Sequence, residues 1–149
     1  MDGDLPQGAG LVTDNAGNVY GTTTSGGSAG AGTFFKLSPN KNGKYWNLTV
    51  LYNFCSKNSA CTDGGDATGP LAYAGAAQGL PYDGVSPLYG TAFQYGSHGH
   101  GVVFSLTPKA NHPNVWKEDA LYSFCRKRKG RIVGMAASQI ALQWILQAI

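Results

Sequence analysis

The sequence predicts an all-β protein in which two four-stranded antiparallel units follow one another. Three observations lead to this fold class: a long internal duplication, apolar side chains that alternate in steps of two, and glycine-rich turns between the alternating segments. With 149 residues, 42% of them hydrophobic, the chain is long enough for one domain with a real core. Before residue 126 the sequence shows no helical periodicity.

The duplication relates residues 88–125 to residues 19–55. The offset between equivalent positions is 69 and, after one inserted residue, 70. A match of this length with one slip indicates a duplicated structural unit. We therefore expect one unit at 1–61, a second at 62–125 and a separate segment at 126–149. Equivalent positions include Tyr20 and Tyr89, Gly21 and Gly90, Phe35 and Phe104, Leu37 and Leu106, Trp46 and Trp116, Tyr52 and Tyr122, Phe54 and Phe124, and Cys55 and Cys125.

In each unit the alternation predicts four strands. In the first unit these are a leading strand at 10–13, a Tyr-Gly-Thr strand at 19–24, a Phe-x-Leu strand at 33–38 and a long strand at 46–54. The turn at 14–18 contains Asp, Asn and Gly, which suit a tight hairpin. The second unit repeats this order, with about nine extra residues before its Tyr-Gly-Thr strand.

The predicted core consists of aromatic and aliphatic residues that recur in both units and share one face of their strands. In particular, alternate residues from Trp46 to Phe54 are expected on a single buried face. The core positions are Tyr20, Phe35, Leu37, Trp46, Tyr52 and Phe54, with their equivalents Tyr89, Phe104, Leu106, Trp116, Tyr122 and Phe124.

Four sequential antiparallel strands per unit, with glycine-rich turns and repeated aromatic residues, favour a propeller blade over a sandwich sheet. A closed propeller has at least about four blades, and two units are present. Two blades leave their outer faces and sheet edges open. Further copies of the chain, docked through the open sheet edges, are therefore one class of expected partner.

Two cysteines, Cys55 and Cys61, frame a short polar loop. A disulfide between them is favoured over free, partly buried thiols, and it would suit an oxidising compartment. Cys125 is the equivalent of Cys55, but Arg131 stands where its partner would be. The first residues are acidic and no apolar run follows them, so no signal peptide is predicted.

The charges are unevenly distributed. Residues 1–125 hold six Lys and eight acidic residues, whereas residues 126–149 hold five basic residues and no acid. A nucleic-acid interface needs basic residues spread over a face beside stacking or base-reading side chains. One terminal basic cluster does not meet that requirement, so no nucleic-acid partner is expected.

Several groups of residues resemble reactive or ligand-binding sites, but each has a simpler interpretation. The glycine-rich loop at 26–32 precedes a predicted strand, whereas a phosphate loop precedes a helix. His98 and His100 lack further evident metal ligands. Asp63, Asp66 and Asp83 fit turns better than a calcium site or a catalytic pair. No catalytic, cofactor-binding or metal-binding residues are predicted, and no cofactor.

The sequence resembles the GloVer tandem-repeat family of bacterial proteins over residues 2–125. The resemblance rests on Gly-Leu-Val-x-Asp-x-x-Gly-Asn-Val-Tyr-Gly-Thr-Thr at 10–23, Gly-Thr-Phe-Phe-Lys-Leu at 32–37 and Leu-Tyr-Asn-Phe at 51–54, with second copies of the later motifs. It implies an extracellular or cell-surface array of many such units. It implies no known activity and no catalytic residues.

The segment at 126–149 differs from the repeats. A basic cluster at 126–131 precedes 18 uncharged residues, which predict a C-terminal helix. Gln139, Gln143 and Gln147 would form a polar stripe on it, which favours lying on a membrane surface over spanning it. The alternatives are a helix that caps the open sheet and a frameshifted tail without a selected function.

Taken together, the sequence predicts a non-enzymatic β-repeat module of a bacterial secreted or surface protein, for display or for binding a glycan or protein. One alternative is a propeller-type carbohydrate-active hydrolase or lyase that uses Asp63, Asp66 and Asp83. Another is a membrane-associated protein that attaches through 126–149.

Overall fold

The computed structural model describes residues 2–6 and 10–125, and these form two four-stranded antiparallel sheets. The first sheet has the order β1-β2-β3-β4 and the second the order β5-β6-β7-β8, so neighbours in the chain are neighbours in space. The predicted all-β class and its two antiparallel units are confirmed. The helix predicted at 126–149 lies outside the described residues. The strands are β1 (Val12–Thr13), β2 (Val19–Thr22), β3 (Thr33–Pro39), β4 (Trp46–Asn53), β5 (Gly65–Ala67), β6 (Leu88–Gln94), β7 (Val102–Lys109) and β8 (His112–Ser123), with one 3₁₀ turn at Ala76–Gln78.

The edge of each sheet is divided into two pieces, which the alternation pattern did not predict. In the first sheet β1 pairs with β2, and an isolated bridge between Asp4 and Ser25 extends the edge. In the second sheet the main edge strand is β5, which is not the predicted leading strand. The predicted leading strand is reduced to a bridge between Ala72 and Tyr89, and β5 supplies the rest of the edge.

A β-bulge interrupts the long strand of each sheet. Phe34 lies opposite Tyr52 and Phe35 lies opposite Val50, so Leu51 is the extra residue in β4. Leu121 is the corresponding extra residue in β8. A bulge moves every later side chain to the opposite face. The prediction that alternate residues from Trp46 to Phe54 share one face is therefore wrong.

The bulge and the strand register define two faces on each sheet. The tyrosine face carries Tyr20, Phe34 and Tyr52 in the first sheet and Tyr89, Val103 and Tyr122 in the second. The tryptophan face carries Phe35, Leu37 and Trp46 in the first sheet and Phe104, Leu106 and Trp116 in the second.

The core forms where the tyrosine face of the first sheet packs against the tryptophan face of the second. The Trp116 ring lies 4.9 Å from that of Phe34 and 6.0 Å from that of Tyr20, between ring centroids. The rings of Phe54 and Phe104 are 5.0 Å apart. Aromatic pairs at these separations add to the stability that burial of their apolar surface provides.

Extra residues in the second unit close one end of this core. The loop before β6 places the Tyr82 ring edge-on against the Tyr20 ring, at 5.5 Å between ring centroids. The backbone N of Tyr82 also donates a hydrogen bond to the carbonyl oxygen of Thr13 at 3.0 Å. The insertion therefore belongs to the packing between the two units. Sequence periodicity could not place it, because the insertion has no equivalent in the first unit.

The predicted core needs correction at its exposed members. Trp46 is 53% exposed and Tyr122 is 47% exposed, because each lies on a sheet face that nothing in the described chain covers. Leu37, Tyr52, Tyr89 and Phe124 are half-buried. The remaining six predicted residues, Tyr20, Phe35, Phe54, Phe104, Leu106 and Trp116, are buried. Buried residues that the prediction missed include Phe34, Leu51, Leu71, Tyr82, Leu88 and Val102.

Candidate functional site

A group of polar side chains lies where the two sheets meet, and we call it the junction cluster; its two carboxylates are buried, whereas its lysine side chain is 40% exposed. It consists of Tyr52 from β4, Lys57 and Asp63 from the connection between the sheets, and Glu118 from β8. The Tyr52 hydroxyl donates to Asp63 Oδ2 at 2.6 Å. Lys57 Nζ lies 2.7 Å from Glu118 Oε2 and donates to the Glu118 carbonyl oxygen at 2.6 Å.

A disulfide-closed loop positions the junction cluster. The structure joins Cys55 to Cys61, and the loop between them carries Lys57. Asn58 orders the loop from inside, because its Oδ1 accepts from the backbone N of Ala60 at 3.1 Å and its Nδ2 donates to the Thr62 hydroxyl at 2.7 Å. The loop thus holds the Lys57 ammonium over the second sheet.

The electrostatics of the cluster follow from its burial. Burial raises the pKa of Glu118 above its ordinary value, and the Lys57 ammonium only partly opposes this. Burial, together with the hydrogen bond to Asp63, also raises the pKa of the Tyr52 hydroxyl. Among the described residues, no hydrogen-bond donor meets Asp63 Oδ1 or Glu118 Oε1. Shifted pKa values and unmatched buried oxygens are signs by which an active site is often recognised.

Access argues against a reactive role for this cluster. Asp63 and the Glu118 side chain are fully buried, so a substrate has no path to either carboxylate in this conformation. A shallow cavity of about 380 Å³ lies instead beside the β7–β8 hairpin, where its lining includes Lys109, Val115 and Trp116 but, in the described chain, no acidic side chain. The arrangement of the cluster fits a polar connection between the sheets.

Asp14 and Asp83, which are partly exposed and exposed, accept backbone hydrogen bonds within turns. Asp14 Oδ1 accepts from the backbone N of Ala16 and of Asn18, each at 2.9 Å. Partial burial disfavours its charged form, but hydrogen bonds from Asn18, Tyr20 and Ala16 outweigh this and lower the pKa of Asp14. Asp83 likewise accepts from the backbone N of Val85 and of Ser86. Both carboxylates stabilise the local turn.

The three acids of the hydrolase alternative occupy different environments. Asp63 is buried in the junction cluster. Asp66 lies on β5 and accepts a hydrogen bond from Gln94 Nε2 at 3.2 Å. Asp83 is exposed in the loop before β6. Hydrogen bonds of the described residues do not connect them. The structure therefore does not bring them together as one catalytic group.

The remaining sequence candidates lie in loops. The glycine-rich loop at 26–32 and its equivalent at 96–101 each join two antiparallel strands. His98 and His100 are exposed, and the described residues contain no group of His, Cys, Asp and Glu that could hold a metal ion. Cys125 is exposed and outside any disulfide.

Exposed apolar side chains lie on both outer sheet faces. The tryptophan face of the first sheet exposes Trp46 and Leu48, and the tyrosine face of the second exposes Tyr122. Sequence reasoning did not find these surfaces, since it assigned both aromatic residues to the core. Their equivalents in the other unit, by contrast, lie at or beside the packed junction between the sheets.

Comparison with protein-family models, with curated proteins and with solved structures finds no match to this chain. Within the described ranges, no helix has the length and apolar character needed to cross a membrane.

Proposed function

We propose that this chain is a non-enzymatic β-repeat module of a bacterial secreted or cell-surface protein, which serves display or the binding of a glycan or protein partner. The two sheets are, in this proposal, successive blades of an incomplete propeller-like array related to the GloVer repeats. The observation that carries the proposal is the packing of the repeated sheets, in which the tyrosine face of one unit meets the tryptophan face of the next.

The environments of the acidic side chains support a role without catalysis. Asp63 and Glu118 connect the sheets from buried positions, and Asp14 and Asp83 hold turns. A glycosidase needs two carboxylates that face each other across a pocket that the substrate can enter. Neither pair meets that requirement in the described chain.

The disulfide supports the proposed location. A bond between Cys55 and Cys61 persists in an oxidising compartment and is rare in the cytosol. The loop that it closes places Lys57 against Glu118, so reduction would disturb contacts between the sheets as well as the loop itself.

A panel of chromogenic glycosides and polysaccharides, run beside a glycan-binding array, tests the proposal. We expect no turnover of any substrate by the full chain. Turnover that Asp83→Asn abolishes, and that Val85→Ala retains, would contradict the proposal and support the hydrolase or lyase alternative. Val85 is a suitable control because it is exposed and lies in the same loop.

A further inference from the structure

We propose that copies of this chain associate head to tail, with the tryptophan face of the first sheet of one copy against the tyrosine face of the second sheet of the next. The occupant of each open face is thus a second copy of the same chain. The inference goes beyond display or ligand binding because it rests on the packing between the sheets, and only its expected number of copies rests on the blade-like array of the proposed function.

The packing of the two sheets within one chain shows how these two faces fit together. There the tyrosine face of the first sheet and the tryptophan face of the second are already joined, through Trp116 against Tyr20 and Phe34. Among residues 2–6 and 10–125, one copy of each face is therefore packed and the other copy is uncovered. The two open faces are the repeat equivalents of the pair that is packed.

Exposure of equivalent residues follows this division. Trp116 is 7% exposed in the junction, whereas its equivalent Trp46 is 53% exposed on the open tryptophan face. Leu51 at the first bulge is 6% exposed, whereas Leu121 at the second bulge is 54% exposed on the open tyrosine face. In both of these pairs the exposed member lies on a face that no second sheet covers in the described chain. Phe35 is an exception on the open tryptophan face, because it is only 8% exposed.

The open pair is also suited to apolar contact. At the position equivalent to Glu118, the open tryptophan face has Leu48, which is 42% exposed. Contact between copies would therefore bury a leucine where the internal junction buries a carboxylate. At this position of the tryptophan face, association removes apolar area from water without desolvating a carboxylate. The open tyrosine face also carries the exposed Lys117–Asp119 ion pair, which the contact would have to accommodate.

The geometry of this contact determines the kind of assembly. Two different faces meet, so the interface is heterologous, and it either closes into a ring or continues as an open chain of copies. Propellers close with about four to eight blades. Two blades per copy therefore favour closed assemblies of about two to four copies.

Two complementary surface variants test the proposal in the full chain. Trp46→Lys blocks the open tryptophan face and Tyr122→Lys blocks the open tyrosine face. Both residues are about half exposed, so both variants are expected to fold, which circular dichroism and thermal unfolding check. Leu48→Lys and Leu121→Lys are second choices on the same two faces. Val85→Lys, on an exposed loop away from both faces, is the matched control.

Sedimentation velocity over a wide range of protein concentration provides the readout. The wild-type chain and Val85→Lys are expected to form assemblies whose masses are multiples of 15.6 kDa. Each face variant alone is expected to weaken self-association by at least about tenfold, because a truncated interface anchor costs more than about 1.4 kcal/mol. An equimolar mixture of the two variants is expected to give a dimer and nothing larger, since each retains one intact face.

Three results would overturn the proposal. A wild-type chain that stays at 15.6 kDa, together with a monomeric mixture, would show that other residues of the chain or another protein cover the faces. A face variant that still dimerises alone would indicate a symmetric contact between like faces. Self-association unchanged in both face variants would place the interface elsewhere on the molecule.

Discussion

The ring of Phe104 lies directly over Gly90, so that a Cβ built on residue 90 would stand 2.5 Å from the ring's Cζ atom. The two residues are opposite each other on β6 and β7. Gly21 and Phe35 have the same relationship in the first sheet, with 2.7 Å between the corresponding atoms. One contact thus explains why the Tyr-Gly-Thr and Phe-x-Leu motifs recur together, since the glycine leaves room for the phenylalanine ring.

Gly90→Ala is expected to destabilise the protein more than Gly21→Ala. The Phe104 ring is buried between the sheets, and forcing it aside costs about 1 to 3 kcal/mol, as overpacking of a core typically does. Around Gly21 the crowding atoms belong to Phe35 and to Leu11, and Leu11 is 62% exposed and can move outward. Urea unfolding of both variants measures the difference. Equal losses in free energy of unfolding would contradict the proposed difference between the junction and the open face.

Glu118→Gln is expected to reduce the pH dependence of stability in the acidic range. Burial raises the folded-state pKa of Glu118 above 4.5, so the folded state binds this proton more tightly than the unfolded state. The resulting stabilisation is complete below pH 4.5 and is lost as the pH rises through the folded-state pKa. The pKa values of Asp14 and Asp83 are lowered, so their contributions are lost only as the pH falls below 3.8.

The measurement is the free energy of unfolding of wild type and Glu118→Gln at a series of pH values from 4.5 upward. Wild type should lose more stability than the variant across this interval. Asp66→Asn is the control, because Asp66 accepts its hydrogen bond from Gln94 at an exposed position and is not among the charges that shift the pKa of Glu118. Parallel curves for wild type and Glu118→Gln would show that Glu118 does not titrate differently in the folded state.

Replacing Cys55 and Cys61 with serine is expected to lower the free energy of unfolding by about 2 kcal/mol, the loop-closure contribution for a short disulfide loop. The change also frees Lys57 from the position that holds it against Glu118. Cys125→Ser is the matched control, since Cys125 is exposed and outside any disulfide. Denaturant unfolding, with thiol labelling to count free cysteines, provides the test. An equal loss in the Cys125 variant would contradict this assignment.

The sequence predicted the two sheets, their strand order and the tight turns because duplication and two-residue alternation record these features directly. Alternation could not reveal the bulges at Leu51 and Leu121, because one extra residue leaves the local pattern unchanged while it exchanges the faces. The alternation in β3 selected Phe35, which is buried, and missed Phe34, which lies on the opposite face and is also buried. Nor could it distinguish Trp46 from Trp116, whose burial depends on which faces of the stacked sheets are covered.

The junction cluster was also beyond prediction from the pattern. Asp63 and Glu118 are far apart in the chain, and only the packing of the sheets places both around Tyr52 and Lys57. One signal was present in the sequence: Glu118 stands where the first repeat has Leu48. A charged residue at a position that is apolar in the other repeat marks a site with a specific partner.

The free energies of unfolding of Trp116→Ala and Trp46→Ala, measured at protein concentrations where the chain is monomeric, test the packing of the two units most directly. If the tyrosine face of the first sheet packs on the tryptophan face of the second, Trp116→Ala should cost about 3 to 5 kcal/mol. Trp46→Ala should then cost about 0.5 kcal/mol or less, as an exposed substitution does. Equal costs, or a larger cost for Trp46, would contradict this arrangement of the two sheets.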